Sequence, residues 1–320
     1  MVTTTTSPRP GGRSAAAEPA SPGRIRRRPA WRRAATPYIL IAPVVILLAV
    51  FIFYPVGSVF YYSLQYYNPT TPWDNGFAGL DNFRLMFAAS LFWTSLVTTA
   101  KWVGFQVVFQ LILGLGLALL VNEVFRGRGL ARALVFSPWA VSGVLTTGIW
   151  LLIYNPSTGL FKLLGNMGIG DGTAAPIADP DTAFWATGVA ELWRGVPFFA
   201  ILILAELQSA PKDLYEAANV DGANRWQRFR FVTLPHLKAV IILSTLLRGV
   251  WEFNNVDLLY TLTAGGPADV TTTLPLYVSQ LATTAQDFGY GSALTTVAFV
   301  ILLFCSILYL RLSKFNSEKV

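Results

Sequence analysis

The 320-residue sequence is 53% hydrophobic, 14% aromatic and only 13% charged, with a mean hydropathy of +0.50. Soluble domains carry about 25% charged residues, so the composition excludes a soluble globular protein and indicates a chain that crosses a membrane several times. The formal net charge of +7 does not indicate nucleic acid, because the basic residues sit in the N-terminal stretch and in short connections between apolar runs, where a membrane accounts for them.

Residues 1–35 are rich in Thr, Ser, Pro, Gly, Ala and Arg, a mixture that cannot bury a core and is expected to be a disordered basic tail. Arg24, Arg26, Arg27, Arg28, Arg32 and Arg33 precede an apolar run long enough to span, with no small-residue cleavage site behind it, so an uncleaved first span is expected. Six apolar segments can each hold a bilayer's width of about 20 residues: Thr36 to Leu64, Leu91 to Val121, Leu130 to Tyr154, Ala183 to Gln208, His236 to Tyr260 and Gly289 to Leu312. In the first loop, Asn68-Pro69, Thr71-Pro72 and Asp74-Asn75-Gly76 break the chain, after which Gly79 to Phe83 begins an amphipathic helix. Thr263-Ala264-Gly265-Gly266-Pro267 is too rich in Gly and Pro to stay helical and is either a turn or irregular backbone lining a cavity.

Loop charge sets the orientation. The tail arginines, Arg126, Arg128, Arg132, Lys212, Arg225, Arg228, Arg230, Lys238, Arg311, Lys314 and Lys319 fall on one side, and Asp74, Asp81, Asp171, Asp179, Asp181, Asp269 and Asp287 on the other. By the positive-inside rule both termini are cytoplasmic, and so is the polar stretch 209–235. There Pro211 and Asp213 suit a helix start, and a short helix from Pro211 to Val220 is expected. Gly222 supplies the turn, a second amphipathic segment from Ala223 to Val232 presents Trp226 and Phe229 on one face, and Leu234-Pro235 ends it.

Ionisable residues inside spans are costly and point to function. Lys101 can snorkel to the interface. Glu191 and Arg194 lie three apart on one helical face and compensate one another; Arg248 and Glu252 lie four apart, with Asp257 beyond. Trp251, Glu252, Phe253, Asn254 and Asp257 put aromatic faces beside amides and carboxylates, as a carbohydrate with its apolar ring face and its hydroxyls requires. The alternative is that these groups only join helices together. The single His236 and single Cys305 leave no metal site built on either residue. No phosphate-binding loop, no nucleophile with a positioned base and no internal repeat is present, so the chain is not expected to be an enzyme.

Glu216-Ala217-Ala218, followed by Asp221-Gly222 and Leu234-Pro235, resembles the EAA loop of the membrane subunits of bacterial ABC importers. Trp193 to Pro197-Phe198-Phe199, Trp251 to Asn254 with Asp257, Thr263 to Pro267 and Asp287 to Gly291 look like the first sugar permease subunit of carbohydrate importers of the maltose or glycerol-phosphate type. Tyr54-Pro55, Tyr62-Ser63-Leu64 and Gly79 to Phe83 are similar as well. The resemblance implies an all-α inner-membrane protein of six transmembrane helices with a type I importer fold. It implies a permease domain over 36–314, with its coupling loop at 209–235 and a cytoplasmic tail at 315–320. Glu216, Ala217, Ala218, Asp221 and Gly222 are expected to couple to an ATPase, and Trp193, Trp251, Glu252, Phe253, Asn254 and Asp257 to line the substrate cavity. The implied partners are a second permease subunit, cytoplasmic subunits that bind ATP and Mg, and an external solute-binding protein; this chain holds no cofactor. A gradient-driven transporter using Glu191, Glu252 or Asp257, a non-transporting scaffold, and an importer of a polyol, glycerol phosphate or amino acid remain the alternatives.

Overall fold

The computed structural model describes Thr3, residues 30–169 and residues 172–313; of the expected tail at 1–35 everything before Ala30 except Thr3, and the whole tail at 315–320, together with Lys314 and Asp171, lie outside the described residues. The chain divides into two units, one ending at Pro55 and one beginning at Val56. The first holds α1 (Ala30–Leu48) and a wider π-helical turn, Ala49–Phe53. Helix therefore starts at Ala30, inside the stretch that composition assigns to the tail. From Leu40 to Phe53 the apolar side chains are exposed nearly all round, the pattern of a segment that meets lipid or another chain.

The second unit takes up most of α2 (Tyr54–Tyr62) and then a small antiparallel hairpin, β1 (Gln65–Tyr66) on β2 (Gly76–Phe77), with Gln65 opposite Phe77. The sequence indicates only a broken loop here. What closes it is Asn75, whose Oδ1 accepts from the Asn68 amide at 2.8 Å. Buried Asn82 donates from Nδ2 to the carbonyls of Ser63 (3.1 Å) and Gln65 (2.8 Å), fastening α3 (Asp81–Ala88) to the strand.

Along the chain follow α4 (Ser90–Asn122), α5 (Arg128–Ala140), α6 (Gly143–Ile153), α7 (Leu160–Asn166) and α8 (Ala183–Ser209). Next come α9 (Lys212–Val220), α10 (Arg225–Arg228), the π-helical turn Phe229–Thr233 and α11 (Leu234–His236). The described chain ends with α12 (Lys238–Phe253), α13 (Asp257–Thr263), α14 (Leu274–Gln280) and α15 (Phe288–Leu312). Among the described residues four helices are long and apolar enough to cross a membrane: Leu40–Tyr62, α4, α8 and α15. Two bent pairs raise the number to six if each pair is one span.

Those bends correct the simple picture of straight segments. α5 and α6 meet at 99°, because Val141 and Ser142 are both extended and the Ser142 hydroxyl caps the new helix by accepting from the Leu145 amide at 3.4 Å. The segment read as running from His236 to Tyr260 stops at Phe253 and resumes as α13. Leu234-Pro235 marks the end of its helix to within one residue. Helix runs without interruption from Arg225 through the π-helical turn to His236, and the 62° break follows directly.

The core lies where α4 crosses α8. Ala118 and Val121 of α4 pack with Phe198, Phe199, Ile203, Leu204 and Leu207 of α8 and with Leu237. Gly114 sets the approach: a Cβ there would stand 2.5 Å from the Phe199 Cβ and 3.1 Å from both the Ala200 nitrogen and the Val196 oxygen. Two of those atoms belong to backbone and cannot swing aside. Gly116 has nothing within 4 Å of the same atom. Gly114→Leu is therefore expected to destabilise the protein by about 1–3 kcal/mol or more through overpacking, while Gly116→Leu is not. Thermal unfolding of the two purified variants in one detergent checks this, and equal midpoints would refute the helix crossing described.

Candidate functional site

α4 is apolar for most of its length, but Trp102, Gln106 and Gln110 recur every four residues and so share one face. That face meets Glu191 and Arg194 on α8 and Arg248 and Glu252 on α12. Arg248 is the hub. Its Nη2 lies 2.6 Å from Glu191 Oε1 and 2.5 Å from Glu252 Oε1, and its Nε donates to Gln110 Oε1 at 2.6 Å. The guanidinium also stands 5.9 Å from the centroid of the Phe198 ring.

Each carboxylate is further satisfied from behind. Glu252 accepts from Gln110 Nε2 (3.0 Å) and, through Oε2, from Trp102 Nε1 (3.1 Å) and Asn255 Nδ2 (3.2 Å). Glu191 accepts from Arg194 Nε and Nη2, both at 3.0 Å. Gln110 Nε2 also donates to Gln106 Oε1 at 2.9 Å, and Gln106 Nε2 to the Gly188 carbonyl at 3.0 Å. Gly195 makes the room, since a Cβ there would collide with Gln110 and Arg248. Four charges thus lie in a fully connected network joining three helices, the arrangement in which buried ions are tolerated.

The network forms one wall of a polar cavity of about 260 Å³, whose other lining includes Trp251, Asn254, Asn255 and Asp257. Trp251 is 45% exposed and leans on Phe198, with ring centroids 5.2 Å apart. Asn254 Nδ2 is spent on the Val250 carbonyl at 2.9 Å, which leaves its Oδ1 free to accept. Among the described residues the Asp257 carboxylate has no hydrogen-bond or ion-pair partner. Of the residues read from sequence as cavity-lining, Trp251, Glu252, Asn254 and Asp257 come together here. Phe253 points elsewhere, into a core with Met86, Phe92, Leu274 and Leu294. Trp193 packs edge-on against Trp150, with centroids 6.2 Å apart, and does not line this cavity. Sequence reasoning missed Trp102, Gln106 and Gln110, although polar groups at four-residue spacing in an apolar helix were the available signal.

The second candidate site is the surface element between α8 and α12. α9 ends in two turn hydrogen bonds, Gly222 N to Asn219 O (3.1 Å) and Ala223 N to Ala218 O (2.9 Å), the pattern that places a left-handed residue just past a helix. Gly222 takes that position with φ +76°. Beyond it, Asn224 and Gln227 form a reciprocal capping box. Arg228 Nη1 reaches back to Asn219 Oδ1 at 2.5 Å, and the Tyr215 hydroxyl bonds Thr233 Oγ1 at 3.1 Å. Trp226 and Phe229 pack with centroids 5.6 Å apart. Glu216, Ala217, Asp221 and Gly222 are exposed, and Ala218 is half-buried. Among the described residues, neither the Glu216 nor the Asp221 carboxylate has a partner.

The model of a family described as "Binding-protein-dependent transport system inner membrane component" matches residues 110–318. The trehalose/maltose transport system permease protein MalF of Thermococcus litoralis is 37% identical over 288 residues, 90% of this chain and 97% of that protein. The sulfoquinovosyl glycerol transport system permease protein SmoG of Agrobacterium fabrum is 35% identical over 278 residues, 86% of this chain and 89% of that one. The trehalose transport system permease protein SugA of Mycobacterium tuberculosis is 32% identical over 289 residues, 90% of this chain and 91% of that one. In structure, the chain superposes with a TM-score of 0.78 and 23% identity on a chain of a bacterial ABC transporter involved in the import of the acidic polysaccharide alginate. The match covers 90% of this chain and 98% of that chain, so the two share a fold.

Because Arg248 compensates two buried carboxylates, Arg248→Met is expected to cost about 3–5 kcal/mol by stranding them. Neutralising both in Arg248→Met/Glu191→Gln/Glu252→Gln should recover most of that loss. Thermal unfolding in detergent reads the difference; a triple variant no more stable than the single one would show that charge pairing is not what holds the cluster.

Proposed function

The chain belongs to the binding-protein-dependent transport system inner membrane component family, and on that premise we propose that it is a membrane-spanning permease subunit of an ATP-driven sugar importer. In this reading the bent pairs α5–α6 and α11–α12 each count as one span, giving six, and both termini are cytoplasmic. Arg126, Arg128, Arg132, Lys212, Arg225, Arg228, Arg230, Lys238 and Arg311 then share the cytoplasmic side, as the positive-inside rule requires. A second permease subunit completes the membrane channel, cytoplasmic subunits supply ATP hydrolysis with Mg, and an external binding protein delivers the solute. The names of the relatives, which are trehalose and maltose permeases among others, support a sugar as the cargo.

The observation that carries this reading is the geometry of α9 and its turn. The helix is short, exposed and flanked by two spans, with small Ala217 and Ala218 and the free Glu216 carboxylate along it and the free Asp221 carboxylate at its end. Such a surface fits a groove on a soluble partner. Tyr215 ties α9 to the segment leading into α12 by bonding Thr233, and the Glu206 carboxylate at the end of α8 lies 3.4 Å from His236 Nε2 of that same segment. A push on α9 is transmitted to α8 and α12 together, and the Arg248 network carries α4 with them. Movement of this three-helix body against the second permease subunit would expose the cavity first to one side and then to the other.

A gradient-driven mechanism finds less support. Glu191 and Glu252 are each held by arginine, so of the three carboxylates that such a mechanism could use only Asp257 is unpaired.

Substitution at Gly222 tests the coupling. Any side chain there must hold φ +76°, at a cost of about 1–2 kcal/mol, enough to depopulate the turn about tenfold; aspartate adds charge to the exposed surface as well. Gly222→Asp in the reconstituted importer is expected to abolish most ATP-driven sugar uptake while the spans still fold and the two permease subunits still co-purify. Uptake that survives both Gly222→Asp and ATP depletion would overturn the ATPase coupling.

A further inference from the structure

The cavity's charges are unequal, and the inequality bears on what it will accept. Its lining contains the carboxylates of Glu191, Glu252 and Asp257 against the guanidinium groups of Arg194 and Arg248, which leaves one negative charge in excess. Both cations are already paired with buried carboxylates, and only Arg194 Nη1, which makes no hydrogen bond among the described residues, could still donate to a ligand. Arg248 is buried between Glu191 and Glu252 with its Nε on Gln110. The Arg194 side chain is 28% exposed, but its Nε and Nη2 are both spent on Glu191, itself fully buried. Drawing Arg194 away to meet an anion would remove one of the two arginines that make burial of Glu191 tolerable. The two buried carboxylates are likewise saturated from the protein side.

What remains for a solute besides that one donor is a specific set. The Asp257 carboxylate is unpartnered among the described residues, the Asn254 Oδ1 is free, and the Trp251 ring offers its exposed surface. Two of these are acceptors and one is an apolar plate. They suit a polyhydroxylated solute that donates from hydroxyl or ammonium groups and lays a C–H face on the indole. A phosphate, sulfonate or carboxylate would meet Asp257 with no uncompensated cation to offset it, since Arg194 and Arg248 are balanced by Glu191 and Glu252.

From this arrangement we propose that the translocation cavity selects against acidic sugars, that its substrate is a neutral or cationic saccharide, and that Asp257 is the residue that sets this preference. The proposal rests on the sugar-permease reading and narrows it. Lys101 does not alter it: that side chain is exposed on α4 and does not line the cavity. Two unit charges a few ångströms apart at an effective dielectric of 20 differ from a neutral pair by enough to change affinity about tenfold or more.

The test is a charge series on the complete importer in proteoliposomes with ATP. The probes are glucose, maltose, trehalose and sucrose, each supplied unmodified, as the 6-amino-6-deoxy form and as the 6-phosphate. The wild type is expected to take up at least one unmodified sugar, its amino form at least comparably, and its phosphate about tenfold less or lower. Asp257→Lys should raise the phosphate-to-neutral uptake ratio about tenfold and lower the amino-to-neutral ratio. Selection by the external binding protein is common to both variants and cancels in that comparison. Asp74→Lys, which makes the same charge change outside the cavity, should leave both ratios unmoved. Ratios that do not respond to Asp257→Lys, or a wild type that carries the phosphate as well as the neutral sugar, overturn the charge selection alone. Absence of uptake for every probe in an assembled importer with active ATP hydrolysis overturns the sugar reading and this proposal with it.

Discussion

Arg248 is a permanent positive charge in the interior of a set of apolar helices, and it determines what must surround it. An isolated guanidinium there would be prohibitive. It is tolerated because Glu191 from α8 and Glu252 from its own helix meet one end while Gln110 from α4 meets the other. The consequences spread outwards. Residue 195 must be glycine for the guanidinium to lie against α8, Trp102 must aim its N–H at Glu252, and Arg194 must hold the second side of Glu191. The α4–α8 crossing at Gly114 and Phe199 then packs the apolar half of the same interface. Three helices are tied by directional bonds as well as by shape, which matters in lipid, where the tails are as apolar as leucine and burial alone drives association weakly.

Much of this was legible in the sequence at the level of single elements. Hydropathy located α4, α8 and α15 to within a few residues, and Pro211, Asp213 and Gly222 marked where α9 begins and ends because their backbone chemistry is local. The pairing of Glu191 with Arg194 followed from helical spacing alone. The bridge from Glu191 to Arg248 did not, because it joins positions 57 apart in sequence. Gln106 and Gln110 were passed over for a related reason. Their four-residue spacing marks a polar face, but what that face serves is known only once the charges on the other helices are placed.

The breaks were the least legible feature. Val141 and Ser142 interrupt a continuous apolar run with no glycine at the turn itself, and the 99° bend rests on one weak serine cap and two extended residues. Leu234-Pro235, by contrast, marks a stop that holds to within a residue, since the helix from Arg225 ends at His236. Proline reports which hydrogen bond is missing, and only the surrounding helix decides whether that bond was needed.

The division of labour in the cavity follows from the same cluster. Polar groups on its inner wall already have their partners, so they hold shape and contribute little free valence; the Asn254 Oδ1 and the Asp257 carboxylate, past the end of α12, have none among the described residues. That position is a result of the helix ending at Phe253. Had α12 run on to Tyr260, Asn254 and Asp257 would have continued the helix, and their side chains would have been placed by its periodicity. The break after Phe253 instead places acceptors at the mouth of a pre-stiffened wall. The rigid part and the recognising part are adjacent in sequence, from Arg248 to Asp257, and a displacement of α12 must move them together.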